Sequence, residues 1–373
     1  MTNVAIIGVG KQGFKYAKLI LENKIKDFHI KALVHISDEK LSELNPKDCY
    51  IYENLDELML DIDHKEIDID LFIITTPHKA HKDIMHQAFK RGISVICDKP
   101  LSTTARNARE IVEIYEDYKL EYHNLKFGVI YQKRLLNSIS YIKDIIDSKK
   151  FGNINRVSFV SSYFRPEIYF KSSSWLAKWN EEGGGVLINQ AIHDLDLIAY
   201  LFGLPINLDA KCETKRHNIE CEDSVTAKLN YKDYTLFFHT STCEAAGENM
   251  IKIVFDNAIL VLQNNTLVEG CLDKDYKSYL DEENDLFIKP NIIYKKIDLD
   301  KDNDLYINYF TNYSNNILIE GKEGIKSLLL MSAMYLSSDK KRSIRIPINE
   351  TEQKEFEIIY DKFIESKKNN GNV

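Results

Sequence analysis

The sequence lacks the features that mark membrane proteins, metal clusters and disulfide scaffolds. No apolar run reaches the roughly 18 residues of a membrane-spanning helix, and none of the six cysteines belongs to a C-x-x-C pair. Scattered cysteine spacing argues against a zinc cage and a disulfide framework, so we expect reduced thiols. A core strand that starts at residue 3 leaves no room for a signal peptide, and we therefore expect a cytoplasmic protein.

A basic surface for nucleic acid is also missing. The net charge is −8 at pH 7, and the lysines are dispersed along the chain without forming a stripe. At 373 residues, with 44% hydrophobic and 28% charged residues, the chain is typical of a globular protein with two domains. We expect its partners to be small molecules or further copies of the chain.

Glycines in the spacing G-x-G-x-x-G directly follow an apolar run at residues 4–7. Residues 14–21 have helical periodicity, so the chain is predicted to run strand, tight turn, helix. Gly8 would form the turn, Gly10 would let backbone N–H groups approach a pyrophosphate, and Gly13 would let the helix pack closely on the strand. This pattern predicts a dinucleotide-binding fold whose first contacts are Gly8, Gly10, Lys11, Gln12 and Gly13.

The residue after the second strand decides how the adenosine ribose is held. Residues 30–36 are predicted to form that strand, and the count from Gly13 places Ser37 at the deciding position, with Asp38 next. A carboxylate at this point bonds the ribose 2′-hydroxyl and repels a 2′-phosphate. NADP is permitted if Ser37 occupies the position, and NAD is preferred if Asp38 reaches in. The sequence leaves both cofactors open.

A buried parallel-type strand over residues 68–74 ends in a polar turn. Because ligands of such folds lie outside the carboxyl ends of the strands, this turn is expected near the cofactor. His78 and His81 could suggest a metal site, but no further ligand lies nearby, so we expect one solvated histidine, one that caps the next helix, and no metal. The cofactor-binding candidates here are Thr75, Thr76, Pro77 and His81.

The next strand, residues 93–97, runs into Asp98, Lys99 and Pro100. The proline keeps Lys99 extended and prevents a helix from beginning there. A lysine at the end of a buried strand lies in the same crevice as the cofactor, so we interpret Lys99 as directed at a bound substrate and not as a solvated loop residue. Asp98 and Lys99 are both predicted to contact the cofactor at the end of this strand.

The pattern changes after residue 125, where we place the boundary between a dinucleotide-binding domain (1–125) and a second domain (126–373). From residue 152 onward, strands joined by short turns predict an antiparallel or mixed sheet. One face of such a sheet is free to bury against another subunit.

Within the second domain, Gly183–Gly185 run into a predicted helix that stops at Gly203. Most of its faces are apolar, while Asn189, His193 and Asp196 form a narrow polar ridge at i, i+4 and i+7. A histidine with an amide one turn before it and a carboxylate one turn after it fits a positioned acid–base group. We therefore assign proton transfer to His193.

The loop before this helix contains candidate substrate contacts. Arg165 is favoured as a partner for a phosphate or carboxylate. For Trp175 and Trp179, stacking on a sugar ring and packing at a subunit interface are about equally supported. Tyr163 and Lys178 lie in the same loop.

These pieces together resemble the Gfo/Idh/MocA family, the glucose–fructose oxidoreductase and inositol dehydrogenase group. The matching motifs follow one another over nearly the whole chain: Gly8-x-Gly10-x-x-Gly13, Thr76-Pro77 with His81, Asp98-Lys99-Pro100, Gly183 to Pro205, Glu222-Asp223 and Ala333 to Ser337. The resemblance implies an α/β chain with an N-terminal Rossmann domain and a C-terminal α+β domain. The large open mixed or antiparallel sheet of the latter would make the contacts of a homodimer or homotetramer.

The resemblance also implies oxidation or reduction of a sugar, inositol or sugar derivative with NAD or NADP. Lys99 would stabilise charge on the reacting oxygen, and His193, with an unperturbed pKa of about 6.5, would exchange the proton. The two side chains, from separate domains, are expected to converge over the nicotinamide. The predicted substrate-binding residues are Lys99, Arg165, Trp175, Asn189 and His193.

Two positions depart from the family pattern. The family usually has Asp four residues before the histidine, and Asn189 stands there, which can orient His193 or bond a hydroxyl but cannot take up a proton. Ser37 replaces the usual acid after the second strand. Two other functions stay open for the same fold: a nucleotide-sensing regulator without turnover, and an NAD-dependent glycosidase.

Overall fold

The computed structural model describes residues 1–347 and 349–370. The chain forms two compact units, and each takes residues from two separate parts of the sequence. The first unit is Met1–Leu135 with Asn303–Leu328, and the second is Leu136–Asp302 with Leu329–Val373. Residues 125 and 126, where the sequence predicts a boundary, lie inside the first unit.

The first unit contains a six-stranded sheet in which every pair is parallel. Its strands are β1 (Thr2–Ile7), β2 (Phe28–Val34), β3 (Tyr50–Tyr52), β4 (Leu71–Ile74), β5 (Ser94–Cys97) and β6 (Phe127–Val129). They lie in the order β3-β2-β1-β4-β5-β6. The order reverses between β1 and β4, which is the point where doubly wound sheets bind ligands. This confirms the predicted dinucleotide-binding topology.

The second unit contains a nine-stranded sheet. Its strands are β7 (Ile154–Ser162), β8 (Asn207–Glu213), β9 (Ser224–Asn230), β10 (Thr235–Ser241), β11 (Asn249–Phe255), β12 (Ala258–Gln263), β13 (Thr266–Leu272), β14 (Ile292–Ile297) and β15 (Ile344–Arg345). They lie in the order β14-β13-β12-β11-β7-β10-β9-β8-β15. The pair β7–β10 is parallel and the other described pairs are antiparallel. The predicted mixed, mostly antiparallel sheet is confirmed.

The helices, in chain order, are α1 (Lys11–Leu21), α2 (Asp38–Leu44), α3 (Leu55–Asp63), α4 (His81–Phe89), α5 (Ala105–Glu121), α6 (Asn137–Ser148), α7 (Glu167–Lys171), α8 (Val186–Asn189), α9 (Ile192–Phe202), α10 (Leu305–Ser314), α11 (Glu323–Lys340) and α12 (Glu350–Asn370). Two short 3₁₀ helices are His78–Ala80 and Gln132–Leu135, and one short π-helix is Ser278–Glu282.

Hydrophobic alternation explains the sheet of the second unit. In β10, Leu236 and Phe238 are buried, whereas Phe237 between them is 46% exposed on the opposite face. Side chains of consecutive strand residues point to opposite faces, so β10 has one buried and one open face. Phe238 packs edge to face on Phe159 of β7, with ring centroids 6.0 Å apart.

Helix α10 returns to the first unit from a distant part of the sequence. Phe310 packs against Tyr16 of α1 and Phe28 of β2, with ring centroids 5.3 and 5.8 Å apart. All three side chains are buried in one hydrophobic core. No local pattern indicates this return, because the packing partners of α10 lie almost 300 residues earlier in the chain.

Within the described ranges, no helix combines the length and the apolar character needed to cross a bilayer. The six cysteines are not joined in disulfides. The same part of the chain brings together no group of three histidine, cysteine or acidic side chains that could hold a metal ion.

Candidate functional site

The turn between β1 and α1 requires glycine at two positions. Gly8 has a φ of +87°, and a Cβ there would lie 2.7 Å from the Cγ2 atom of Thr76. A Cβ on Gly13 would lie 2.6 Å from the Oγ1 atom of Thr75. A Cβ on Gly10, in contrast, would meet no atom of the described residues within 4 Å. The turn is therefore packed on the side of β4 and open at Gly10.

This open face fits the pyrophosphate of a dinucleotide. The first backbone N–H groups of a helix have no acceptor inside the helix, and the N-cap of α1 is Gly10, which has no side chain to accept from them. The hydroxyl Oγ1 of Thr76 is buried beside the turn and bonds no partner in the described part of the chain. Unsatisfied donors at a helix N-terminus are the usual site for a phosphate anion.

The ends of β4 and β5 are tied to the turn by side chains. Thr75 donates a hydrogen bond to the Gly8 carbonyl, 2.5 Å away. The ring of His81, 1% exposed, places Nε2 at 3.0 Å from the Thr76 carbonyl oxygen and Nδ1 at 3.3 Å from that of Leu101. Burial lowers the pKa of His81, so the ring stays neutral. A neutral ring has one N–H, so it donates to one of these two carbonyls, and its other nitrogen is an acceptor. His81 therefore packs against both strand ends from the interior and hydrogen-bonds one carbonyl.

Asp98 and Lys99 directly follow β5. The Lys99 backbone N–H donates to the Asp98 carboxylate at 3.0 Å, and the peptide bond to Pro100 is cis. Burial raises the pKa of Asp98 to about 6, although the Lys99 charge acts against the rise. Lys99 is half-buried at the carboxyl end of the sheet, where the sequence analysis placed it.

No carboxylate directly follows β2. The first residue after this strand is His35, with a φ of +57°, and Ser37 is the N-cap of α2, where its hydroxyl makes no capping bond. Asp38 is exposed in the first turn of that helix. The sequence analysis did not weigh Lys40, whose Nζ donates to the Val9 carbonyl at 3.1 Å, next to the glycine turn.

The remaining cofactor candidates lie around the same turn. Lys11 and Pro77 are exposed on the first unit. Gln12 turns its amide back onto α1, where Nε2 donates to the hydroxyl of Tyr16 at 3.1 Å. Of these three, Lys11 belongs to the first turn of α1, so its backbone N–H is one of the unsatisfied donors.

In the second unit, the single helix predicted after Gly185 is wrong: the segment is two helices, α8 and α9. The N–H groups of Gln190 and Ala191 both donate to the Val186 carbonyl, at 3.1 and 2.8 Å. The second of these bonds spans five residues, so an extra residue widens the turn. The predicted ridge is broken as a result, because Asn189 ends α8 and His193 stands in the first turn of α9.

Asp194 is a site residue that the sequence analysis missed. Its carboxylate, 2% exposed, accepts hydrogen bonds from Ser161 at 2.7 Å and from the Tyr163 hydroxyl at 2.7 and 2.8 Å. Burial and the Asp194 charge raise the pKa of Tyr163, which keeps this hydroxyl protonated. These bonds tie α9 to β7 and fix the backbone that carries the half-buried side chain of His193.

Asn189 is the centre of a polar cluster that includes the predicted residue Arg165. The Asn189 Oδ1 atom accepts from the Tyr169 hydroxyl at 3.0 Å and from the Gln190 amide. Its Nδ2 group donates to the carboxylate of Glu182. Arg165 donates from Nη2 to the Gln190 Oε1 atom at 2.8 Å, with its guanidinium over the Tyr169 ring.

The two tryptophans differ in their surroundings. The indole of Trp179 packs on Tyr335 and Phe363, with centroids 5.0 and 5.8 Å apart, so it contributes to the interior of the second unit. Trp175 is half-buried in the loop before α8. Trp179 is half-buried, and stacking on a sugar ring and packing at a subunit interface both stay predictions for its remaining surface.

Glu222 connects two of the motifs found in the sequence. Its carboxylate, 4% exposed, accepts from the backbone N–H groups of Gly185 and Leu187, at 3.1 and 3.0 Å, and from the Tyr335 hydroxyl at 2.8 Å. Burial raises the pKa of Glu222 to about 7. A Cβ on Gly185 would lie 2.0 Å from the Glu222 carbonyl oxygen, so only glycine permits this approach. Glu222 therefore holds the start of α8.

Two family profiles match the chain. Residues 2–124 match an oxidoreductase family with an NAD-binding Rossmann fold, and residues 139–261 match the GFO/IDH/MocA C-terminal domain. Together the matches cover more than half of the sequence. The chain belongs to the Gfo/Idh/MocA family. Its first unit is accordingly an NAD-binding Rossmann domain, and the resemblance found in the sequence is confirmed.

Curated relatives in this family are distant. An uncharacterised oxidoreductase of Schizosaccharomyces pombe is 28% identical over 233 residues, which are 61% of this chain and 60% of the relative. The scyllo-inositol 2-dehydrogenase (NADP+) of Bacillus subtilis is 24% identical over 231 residues, 61% of this chain and 59% of that enzyme. The matched region thus spans about 60% of the length of these relatives.

Solved structures share the fold over almost the whole chain. The WlbA dehydrogenase of Bordetella pertussis, in complex with NADH and UDP-GlcNAcA, gives a TM-score of 0.75 at 18% identity and covers 93% of this chain and 99% of its own. A levoglucosan dehydrogenase in complex with NADH and levoglucosan gives a TM-score of 0.74 at 15% identity, with 93% and 99% covered. At such identities the likeness supports the fold alone.

Proposed function

We propose that this member of the Gfo/Idh/MocA family is an NAD(P)-dependent oxidoreductase that acts on a secondary alcohol of a sugar, inositol or sugar derivative. The observation that carries the proposal is the turn after β1, which needs glycine at Gly8 and Gly13 yet is open at Gly10. In dinucleotide-binding folds, the pyrophosphate binds at such a turn, where the backbone is open at the N-terminus of the helix.

The cofactor is proposed to lie along the carboxyl ends of the parallel strands. When bound, nicotinamide supplies the hydride acceptor or donor of the reaction. Backbone donors of α1 bind the pyrophosphate, and Ser37 and Asp38 lie where the ribose is held. His81 acts from the interior, where its ring packs against the ends of both strands. The residues proposed to surround the cofactor are Gly8, Gly10, Lys11, Gln12, Gly13, Ser37, Asp38, Thr75, Thr76, Pro77, Asp98 and Lys99.

The chain itself supplies proton transfer and charge stabilisation in this proposal. His193 accepts the hydroxyl proton of the substrate in oxidation and returns it in reduction, because an imidazole exchanges protons near neutral pH. Lys99 donates a hydrogen bond to the same oxygen and stabilises the negative charge that develops there. Asn189 binds a substrate hydroxyl through its amide.

The proposed substrate class is supported by relatives that are dehydrogenases of inositols and sugars. An inositol dehydrogenase is among its curated relatives, and a levoglucosan dehydrogenase shares its fold. Arg165 and Trp175 are proposed to contact the ring or an acidic substituent of such a substrate. A homodimer or homotetramer in the cytoplasm completes the proposal, with the open face of the β10 sheet available for contact between copies.

Replacing Lys99 or His193 by alanine tests these roles. Turnover of a polyol or sugar with NAD+ or NADP+ is expected to fall by about 10²–10⁴-fold in each variant, the range of a positioned acid–base group. Formation of reduced nicotinamide is the measurement, over a panel of inositols, sugars and sugar nucleotides. Lys26→Ala and His64→Ala are matched controls, since both residues are exposed near the opposite ends of the strands.

Unchanged turnover in either Lys99→Ala or His193→Ala would remove that residue from the mechanism. If the unaltered protein binds a nicotinamide nucleotide yet turns over no compound of the panel, the proposed oxidoreductase activity fails. Release of sugar from an aryl glycoside without net NADH would indicate a glycosidase.

A further inference from the structure

The side chains of Arg165, Gln190, Asn189 and Glu182 form a chain of hydrogen bonds with one fixed direction. A guanidinium has donors and no acceptor, so Gln190 must present its oxygen to Arg165. The Gln190 nitrogen then faces Asn189, which must accept through Oδ1, as it does. The Asn189 nitrogen is left to donate, and it meets the carboxylate of Glu182.

Glu182 terminates this chain as an acceptor. Its carboxylate is 2% exposed, and its second oxygen accepts from the Ala177 backbone N–H at 2.6 Å. An ionised carboxylate accepts only, so a glutamate at this position dictates which way the Asn189 amide points. The guanidinium of Arg165 is always charged, which strengthens its hydrogen bond to Gln190 at that end of the chain.

We propose that Glu182 is a positioning residue of the active site, which orients Asn189 by accepting a hydrogen bond from its amide. The inference rests on the proposed function, because it assigns Asn189 and Arg165 to the substrate. Through the amides of Asn189 and Gln190, Glu182 sets the orientation of both substrate-binding groups.

The proposal predicts that restoring the family residue is harmful. In Asn189→Asp, two carboxylates face each other in a buried place, so the pair keeps one proton and its apparent pKa rises. In Glu182→Gln, the new side chain has one oxygen and one N–H₂ group where Glu182 has two oxygens. The oxygen can accept from the Asn189 amide or from the Ala177 N–H, and the other of these two donors then faces the N–H₂ group and has no acceptor. Each single variant therefore breaks the chain of hydrogen bonds at Glu182.

The exchange of both residues restores every bond. In Glu182→Gln/Asn189→Asp, the new glutamine oxygen accepts from the Ala177 N–H and its nitrogen donates to the new aspartate. The aspartate accepts from Tyr169 and Gln190 as Asn189 does. The double variant has nearly the same side-chain volume as the two single variants. Its net charge equals that of the wild type.

Steady-state kinetics of the four proteins test the proposal. At about pH 8, each single variant is expected to lose at least about tenfold in kcat/KM, with a raised KM because Arg165 is misdirected. The double variant is expected to exceed both single variants in kcat/KM and to recover the Tm of the wild type, while it loses the contact of the Asn189 amide with the substrate. For Asn189→Asp alone, the ratio of its kcat/KM to that of the wild type should rise as pH falls. At lower pH a proton lies between the carboxyl groups at positions 182 and 189, and it replaces the hydrogen-bond donor that the Asn189 amide provided.

Thermal unfolding of the same proteins gives a readout that needs no turnover. The Tm deficit of Asn189→Asp against the wild type should grow between about pH 5 and pH 8, because the folded pair holds a proton that the unfolded chain releases near pH 4. The double variant should show no such growth. If the wild type oxidises no substrate, the proposed function fails while this measurement still decides whether the pair exists.

Equal activity and stability of Asn189→Asp and the wild type at about pH 8 would overturn the proposal. A double variant no better than its single variants would overturn it as well. Failure of Asn189→Asp to fold supports the proposal when the double variant folds and contradicts it when the double variant also fails.

Discussion

At the scale of single residues, cofactor choice depends on what stands beside the glycine turn. His35 is the first residue after β2. Ser37 is the N-cap residue of α2, but its hydroxyl makes no capping hydrogen bond. The Lys40 ammonium is bonded to the Val9 carbonyl in the turn itself. A cation next to the ribose site favours a 2′-phosphate, whereas a carboxylate there excludes it. We therefore expect Lys40 to favour NADP.

Lys40→Glu should weaken NADP+ binding much more than NAD+ binding. Reversal of the charge places a carboxylate opposite the 2′-phosphate, and we expect a loss of at least about tenfold for NADP+ and of less than about threefold for NAD+. Titration of each nucleotide followed by fluorescence or calorimetry gives the two affinities. Lys47→Glu, with the same charge change at an exposed residue, is the control. Equal losses for both nucleotides would place Lys40 away from the phosphate.

At the scale of elements, the turn between β1 and α1 separates packing from binding. A side chain at Gly13 would collide with Thr75 and the Gly8 carbonyl, while one at Gly10 would project into open space. Gly10 has a φ of −71°, so a left-handed backbone is not the reason for glycine at this position. The same motif thus contains one glycine needed for the fold and one, Gly10, whose open face is proposed to receive the ligand.

Alanine at each position distinguishes the two roles. Gly10→Ala should keep the Tm of the wild type and lose at least about tenfold in nucleotide affinity, because its methyl group occupies the face that receives the pyrophosphate. Gly13→Ala should lower the Tm in the absence of nucleotide as well. Differential scanning fluorimetry with and without NADP+ measures both effects. Wild-type affinity in Gly10→Ala would show that this face binds no nucleotide.

At the scale of the whole molecule, two carboxyl groups with raised pKa values, the buried Glu222 and the half-buried Asp98, make stability depend on pH. Burial raises the pKa of Glu222 from 4.5 to about 7 and that of Asp98 from 3.8 to about 6. The folded chain therefore holds protons that the unfolded chain has released, so the free energy of unfolding falls as pH rises. The loss begins near the unfolded pKa values, at about pH 4, and is complete at about pH 8.

Glu222→Gln should flatten this dependence. The shift at Glu222 corresponds to a loss on the order of 3 kcal/mol between about pH 4 and pH 8. A glutamine keeps an oxygen for the N–H groups of Gly185 and Leu187 and has no proton to lose. Tm measured in a buffered series from about pH 5 to pH 8 should fall less in the variant. Parallel curves for variant and wild type would mean that Glu222 stays ionised in the folded state.

Much of this architecture was predictable because it depends on local patterns. Apolar runs identified the parallel strands, the glycine spacing identified the turn after β1, and Gly203 marked the end of α9. Lys99 and Asn189 were selected from their places in motifs. Their roles stay predictions, since no measurement here tests them.

The rest depends on contacts between distant parts of the chain. The wide turn that separates α8 from α9 has no signature in local composition, because the glutamate that holds α8, Glu222, lies more than thirty residues later. Glu182 and Tyr169 become partners of Asn189 only when the loop before α8 folds back on it. Helix α10 joins the first unit by the same kind of long-range packing.

The sequence by itself determined the family, the two kinds of sheet and the identity of the glycine turn, because each follows from periodicity or from a glycine that the backbone requires at a fixed spacing. Tertiary structure alone decided which carboxylate accompanies Asn189, which cation stands beside the glycine turn, and which acids have pKa values raised toward neutral pH. Hydrogen-bond partners and desolvation are properties of three-dimensional neighbours, and separation along the chain carries no information about them.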